Sequence, residues 1–179
     1  MKKIVFAFFV LLFSSPTQGM AQRLRRSISL EMIERLAKMR NITPEELQSL
    51  KPFLERTNWK VLEMDDDPSD NSMQIVAAQN MEYRLGDFQS IGSPHNGLIV
   101  HLQKVAGFQV NDLFIVFNDS NEAKLFGKYL AHSGFKDTTG YGNSFRKIVP
   151  LPTGVNVVMD VELDVEAYQP QAHITIYDE

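Results

Sequence analysis

Cysteine is missing altogether from this 179-residue chain. That absence excludes disulfides, thiolate metal sites and a cysteine nucleophile together, and it leaves no thiol beside the N-terminus for a lipid anchor. The fold must rest on core packing without covalent staples. Tryptophan occurs once, at Trp59. Positive charge is the scarcer sign, with 18 Lys and Arg against 22 Asp and Glu and a net charge of −4. Such a surface repels nucleic acid and anionic lipid. No apolar run is long enough to cross a bilayer as a helix; the most extended, residues 4–13, has ten residues (IVFAFFVLLF).

What stands around that run has the order of a secretory signal. Lys2 and Lys3 precede it, a short polar stretch with Pro16 follows, and Gly19-Met20-Ala21 places small residues at the −3 and −1 positions of a cut before Gln22. A buried N-terminal helix is the competing account, but it would have to hide four phenylalanines with no polar face. The expectation is an exported protein, periplasmic or secreted, with no stable membrane insertion after cleavage. Without Lys2 and Lys3 the balance is 16 basic to 22 acidic side chains. Arg23, Arg25 and Arg26 at the new terminus are too few to argue for a nucleic-acid partner.

Displaced against itself by 76 residues, the chain shows features in step. Thr43-Pro44-Glu45-Glu46 has the form of a capping box with proline at the first helical position, and Asp119-Ser120-Asn121-Glu122 is a second helix start with Glu at the same place. Leu50, Phe53 and Leu54 match Phe126, Tyr129 and Leu130. The pair Trp59-Lys60 matches Phe135-Lys136. Met81, Tyr83 and Leu85 alternate with polar neighbours, as do Val157, Met159 and Val161. Leu98 and Val100 fall on Ile174 and Ile176.

The predicted elements are helices over 27–40, 43–56 and 120–132, and strands near 59–64, 72–78, 81–88, 98–105, 113–117, 135–139, 145–149, 155–163 and 172–177. Residues 113–117 (LFIVF) read as a buried strand. The expected fold class is α+β: a tandem repeat of about 76 residues, each copy a helical segment followed by antiparallel strands, with the helices packed on one face of the sheet. Its parts are a signal peptide, 1–21, and two units, 22–106 and 107–179, that share one globule because either is marginal alone.

Carried on Thr43 to Glu46, the two aromatic-lysine pairs and the strand alternations, this architecture resembles the beta-lactamase inhibitor protein family. It also looks like small helix-helix-sheet domains of outer-membrane assembly lipoproteins. The resemblance implies a sheet that serves as a protein-binding face; the inhibitor family's disulfides have no counterpart here, and no inhibitory residue carries over.

Catalytic patterns are scarce. His95, His101, His132 and His173 do not pair at helical spacing, and neither H-E-x-x-H nor G-x-S-x-G occurs. Gly140-Tyr141-Gly142-Asn143 hints at a phosphate loop but lacks the third glycine and the following helix, so a turn between strands is preferred. Asp65, Asp67 and Ser69 offer alternate oxygens to calcium. A calcium loop would need Gly at the sixth position and Glu at the twelfth, where Asp70 and Val76 stand, so a solvated acidic hairpin loop is the better account. Trp59 reads as a core plug rather than a binding hot spot.

Asp160, Glu162, Asp164 and Glu166 fall on one face of a strand by period two, with Val161, Leu163 and Val165 opposite. They form the candidate binding surface, in water or against a cationic partner. No catalytic residue, cofactor or metal is expected. The function expected is a non-enzymatic exported protein that holds another protein of the envelope or exterior by an open sheet face or its loops. The alternative is a small hydrolase or metal-dependent enzyme assembled from distant residues, with His101, His173 and the acidic loop as its candidates.

Overall fold

The computed structural model describes residues 33, 35, 39, 43–56, 58–67, 69, 71–105 and 108–179. The expected signal peptide and most of the expected helix 27–40 lie outside them. Of that helix, Ile33 is helical and buried, Arg35 helical and exposed, and Met39 buried.

Helix α1 spans Pro44–Arg56 and α2 spans Ser120–His132. At the start of α2, the Asp119 carboxylate accepts the amides of Asn121 and Glu122 at 2.8 and 2.9 Å. Glu122 reaches back to accept the Asn118 amide at 3.0 Å, a capping box shifted by one residue. Both helices stop in the same way. In α1, Asn58 takes a left-handed φ of 68° and Trp59 donates its amide to Leu54 O at 3.0 Å. In α2, Gly134 takes φ 87° and Phe135 donates to Leu130 O at 3.1 Å. These are Schellman stops, which tuck the next aromatic against the helix's last turn. Trp59 and Phe135 are accordingly buried, as core plugs.

Ten strands follow in chain order: β1 Lys60–Asp67, β2 Ser72–Gln79, β3 Met81–Arg84, β4 Asp87–Ser90, β5 Asn96–Val105, β6 Phe108–Val116, β7 Lys136–Asp137, β8 Ser144–Pro150, β9 Asn156–Asp164 and β10 Gln171–Asp178. Eight form one antiparallel sheet in the order β1-β2-β5-β6-β10-β9-β8-β7, and β3 and β4 pair only with each other. The boundary expected after residue 106 falls outside the described residues, between two strands paired in this sheet.

Here the tandem repeat fails. The helix stops agree at the 76-residue offset because two Schellman motifs demand similar residues, not because the strands repeat. Carried onward, the offset sets β3, outside the large sheet, against β9, inside it. It also sets β5, which lies between β2 and β6, against β10, which lies between β6 and β9. Among the described residues the fold is one large antiparallel sheet with the two short helices α1 and α2 against it, not two helix-sheet units. The expected strand 81–88 is itself a hairpin: Leu85 and Gly86 both have positive φ, 53° and 85°, as a two-residue hairpin turn requires. Leu85, expected to face inward with Met81 and Tyr83, is fully exposed.

The sheet has two unlike faces. On the inner one, a row of directly paired residues crosses seven strands: Met64, Ile75, Val100, Leu113, Ile174, Val161 and Phe145. Both helices contribute to the core over this row, through Leu50, Phe53 and Leu54 of α1 and Ala123, Phe126 and Leu130 of α2. A one-residue slip of any strand would turn this row into water, so the register is strongly held.

Candidate functional site

On the outer face the neighbouring row reads Glu63, Val76, Ile99, Phe114, His173, Glu162 and Ser144. Its character changes in the middle. Over β2, β5 and the end of β6, the β3–β4 hairpin lies as a roof, and Met81 and Phe88 pack on Val76, Ala78 and Val116 in a second apolar cluster. The roof sits close because β5 carries Gly97 beneath it: a Cβ there would come within 2.8 Å of the Phe88 ring. Tyr83 stacks at a tilt on Phe88, with centroids 5.1 Å apart. Burial pushes the Tyr83 phenol above its usual range, and Glu63 and Asp87 add to the push. Gln169, in the β9–β10 loop, donates to Phe88 O at 3.0 Å and ties down the roof's edge.

From Phe114 toward β8 the outer face is uncovered by any described element, and its side chains are ordered by one another. The Phe114 and His173 rings stack nearly parallel, 4.2 Å apart at 9°. Each is more than a third exposed, Phe114 at 39% and the His173 side chain at 38%. Asp112 lies under them, its side chain only 15% exposed. It pairs with His173 Nε2 at 3.0 Å and accepts from Thr175 Oγ1 at 2.9 Å. His101, on β5, is directly paired with Asp112 across the sheet. The topology thus brings the two candidate histidines around one carboxylate that sequence reasoning passed over. The acidic loop does not join them, since Asp65 sits on the edge strand β1, two strands from His101.

A third contact closes the group, with Thr175 Oγ1 3.4 Å from His173 Nε2. The Thr175 hydroxyl donates to Asp112, and the His173 nitrogen nearest to it faces the same carboxylate. Asp112 is thus the shared partner of both side chains and holds them in place.

One row further along β9, Arg146 forks Asp160 with bonds of 2.6 and 2.8 Å, and Tyr177 Oη donates to the same carboxylate at 3.0 Å. The Arg146 hydrogen bonds hold the Asp160 carboxyl below its ordinary range against the opposing effect of desolvation, and Tyr177 helps. The Tyr177 phenol is pushed up, by burial first and then by Asp160.

The four acidic residues of the candidate surface therefore part company. Asp160 is committed to Arg146. Glu162 is exposed on the outer face and, among the described residues, makes no hydrogen bond or ion pair. Asp164 ends β9 and accepts the amides of Glu166 and Ala167 at 3.2 and 2.9 Å, shaping the turn. Glu166 stands beyond the strand, exposed. Val161 and Leu163 face the core as expected.

The remaining candidates fall elsewhere. The amides of Gly140 and Gly142 are spent on Asp137, at 2.9 and 2.8 Å, so this turn has no donors left in those amides for a phosphate. Desolvation pushes the Asp137 carboxyl up, but the amides of Gly140, Thr139 and Gly142 and the Thr139 hydroxyl outweigh it and lower its pKa. Asp67 accepts the Ser69 amide at 2.9 Å in the β1–β2 turn, while Pro68 and Asp70 lie outside the described residues. His132 contacts Lys128 O at 2.7 Å, and His95 contacts Ser90 Oγ at 3.1 Å. No three of His, Asp and Glu among the described residues are placed to hold a metal ion. No described helix is long and apolar enough to cross a membrane.

Phe114, Asp112, Thr175, Tyr177 and Arg146 were missed in the sequence. The signal was present: His173, Thr175 and Tyr177 alternate with Ala172, Ile174 and Ile176, and Asp112 lies two residues before Phe114. No family model matches the chain, and neither a curated protein nor a solved structure does.

Proposed function

We propose that this chain is an exported, non-enzymatic binding protein that holds another protein of the cell envelope or exterior against the uncovered half of its outer sheet face. The observation that carries the proposal is the stacked Phe114–His173 pair, left more than a third exposed in the middle of the sheet beside the roofed cluster of Val76, Ala78 and Val116. His173 is held by Asp112 and Phe114 is stacked on it, and aromatic side chains ordered in advance lose little entropy on binding, which suits them as interface anchors. Export is supported by the N-terminal charge, apolar run and small-residue cut site. The mature chain then begins at Gln22, and the intact mass of the exported protein tests that start.

Capture of the tagged mature chain from its own envelope tests the binding. A stoichiometric protein that accompanies the natural chain and the Leu85→Asn control, but not Phe114→Ser, is the expected result. The same protein retained by Phe114→Ser at full yield would place the contact elsewhere.

A further inference from the structure

The chemistry of that partner is written in the difference between two rows of the outer face, and the inference rests on the binding reading above. On β9, Asp160 and Glu162 stand two residues apart and point the same way. Asp160 lies between Arg146 on β8 and Thr175 on β10. Glu162 lies between Ser144 on β8 and His173 on β10. Where Asp160 receives an arginine fork from within the chain, the neighbour on the same side of Glu162 is a short hydroxyl, itself accepting from Thr138 Oγ1 at 2.8 Å. Glu162 keeps its charge exposed, next to the paired rings of His173 and Phe114.

We infer that the outer face takes an arginine side chain of its protein partner at Glu162, with the guanidinium forked by that carboxylate and laid against the His173–Phe114 rings. A guanidinium is planar, matches a carboxylate with two parallel N–H bonds and stacks on aromatic faces, whereas an ammonium does neither as well. An arginine is therefore favoured over a lysine. Two further observations agree. Without Lys2 and Lys3 the chain carries 16 basic against 22 acidic side chains, which favours a cationic partner in the encounter. The Arg146–Asp160–Tyr177 group shows that this sheet already seats a guanidinium against a β9 carboxylate at good geometry.

The test is an NMR titration of the mature chain with a blocked peptide of alternating threonine and arginine, beside matched peptides carrying lysine or citrulline. Saturable shifts confined to the amides around Phe114, His173 and Glu162 are expected. Citrulline should weaken the binding about tenfold, and lysine by roughly threefold or more. Glu162→Gln should weaken the arginine peptide about fivefold or more with an unchanged melting temperature, since its side chain holds nothing in the folded chain. Leu85→Asn should change nothing. Equal binding of the three peptides, shifts centred on the β1 edge, or an undiminished Glu162→Gln variant would overturn the inference. An envelope protein still lost with Phe114→Ser, beside an arginine peptide that does not bind, would overturn this inference alone and leave the binding reading standing.

Discussion

Ile99 and Phe114 are paired neighbours on the outer face, yet they belong to different surroundings. Ile99 packs into the cluster beneath the β3–β4 hairpin, and Phe114 stands 39% exposed against His173. The two halves of the face differ in what their connections do. Between β2 and β5 the chain has residues 80–95 with which to fold a hairpin back over the sheet. Between β9 and β10 it has only 165–170, enough for a turn braced on Asp164. The side chains follow suit: Val76, Ala78 and Gly97 where a roof must sit close, Asp112, Thr175 and Glu162 where water or a partner must be met. Covering is thus a property of loop length and of the outward residues together, while the inner face is mainly apolar, with Gln109 and Asn111 of β6 the buried polar pair on it.

Phe126→Ala removes a fully buried ring that packs at 5.3 Å on Phe117 beneath the sheet. Denaturant unfolding should show a loss of about 3–5 kcal/mol. Amide exchange should rise on both halves, because the inner layer supports them alike.

Gly97→Ala should separate them. The new methyl meets the Phe88 ring at 2.8 Å, so the roof must lift. A loss of about 1–3 kcal/mol is expected, with exchange rising in β3 and β4 and hardly at all in β9 and β10. Uniform exchange across the sheet would mean that the roof is not a separate layer.

Asp119→Ala strips the cap from α2, with an expected cost of about 1 kcal/mol in thermal or denaturant unfolding. Its effect should centre on α2 and the strands under it.

Arg146→Met probes the open half by pH. In the folded chain the Asp160 carboxyl is lowered by Arg146, so the folded state binds that proton less readily than the unfolded one. Its contribution is complete above the unfolded value, about 3.9, and is lost as pH falls through the lower folded value. The variant should be only slightly less stable at neutral pH, because the pair is partly exposed and screened by solvent. Its stability should also fall less steeply than the natural chain's on acidification below about pH 4. Glu162→Gln has the smallest expected effect, within about 0.5 kcal/mol, and a larger loss would show that Glu162 is structural.

How far the sequence carried this account can be judged from particular residues. Helix α2 was legible to the residue, since Asp119 and Glu122 mark its start and Ser133-Gly134 its stop. The strands of period-two alternation, β9 and β10, were legible with their inward sides. Strand order was not, because alternation fixes which face a residue takes and says nothing about its neighbours across the sheet. The break at Leu85-Gly86 was hidden by a leucine where a two-residue turn favours asparagine. The run 113–117 looked buried on both sides, which concealed that Phe114 faces out. Among the four acidic candidates, only partners on β8 and β10 separate the committed Asp160 from the uncommitted Glu162.

Photo-crosslinking in the producing cell reads out whether the uncovered half of the outer face meets another protein. A photoactivatable phenylalanine analogue in place of Phe114 keeps the ring and reports what touches it. One discrete adduct is expected from position 114, weakened by Glu162→Gln and absent when the analogue replaces Leu85 at the hairpin tip. An adduct from position 85 with none from position 114 would contradict the binding reading.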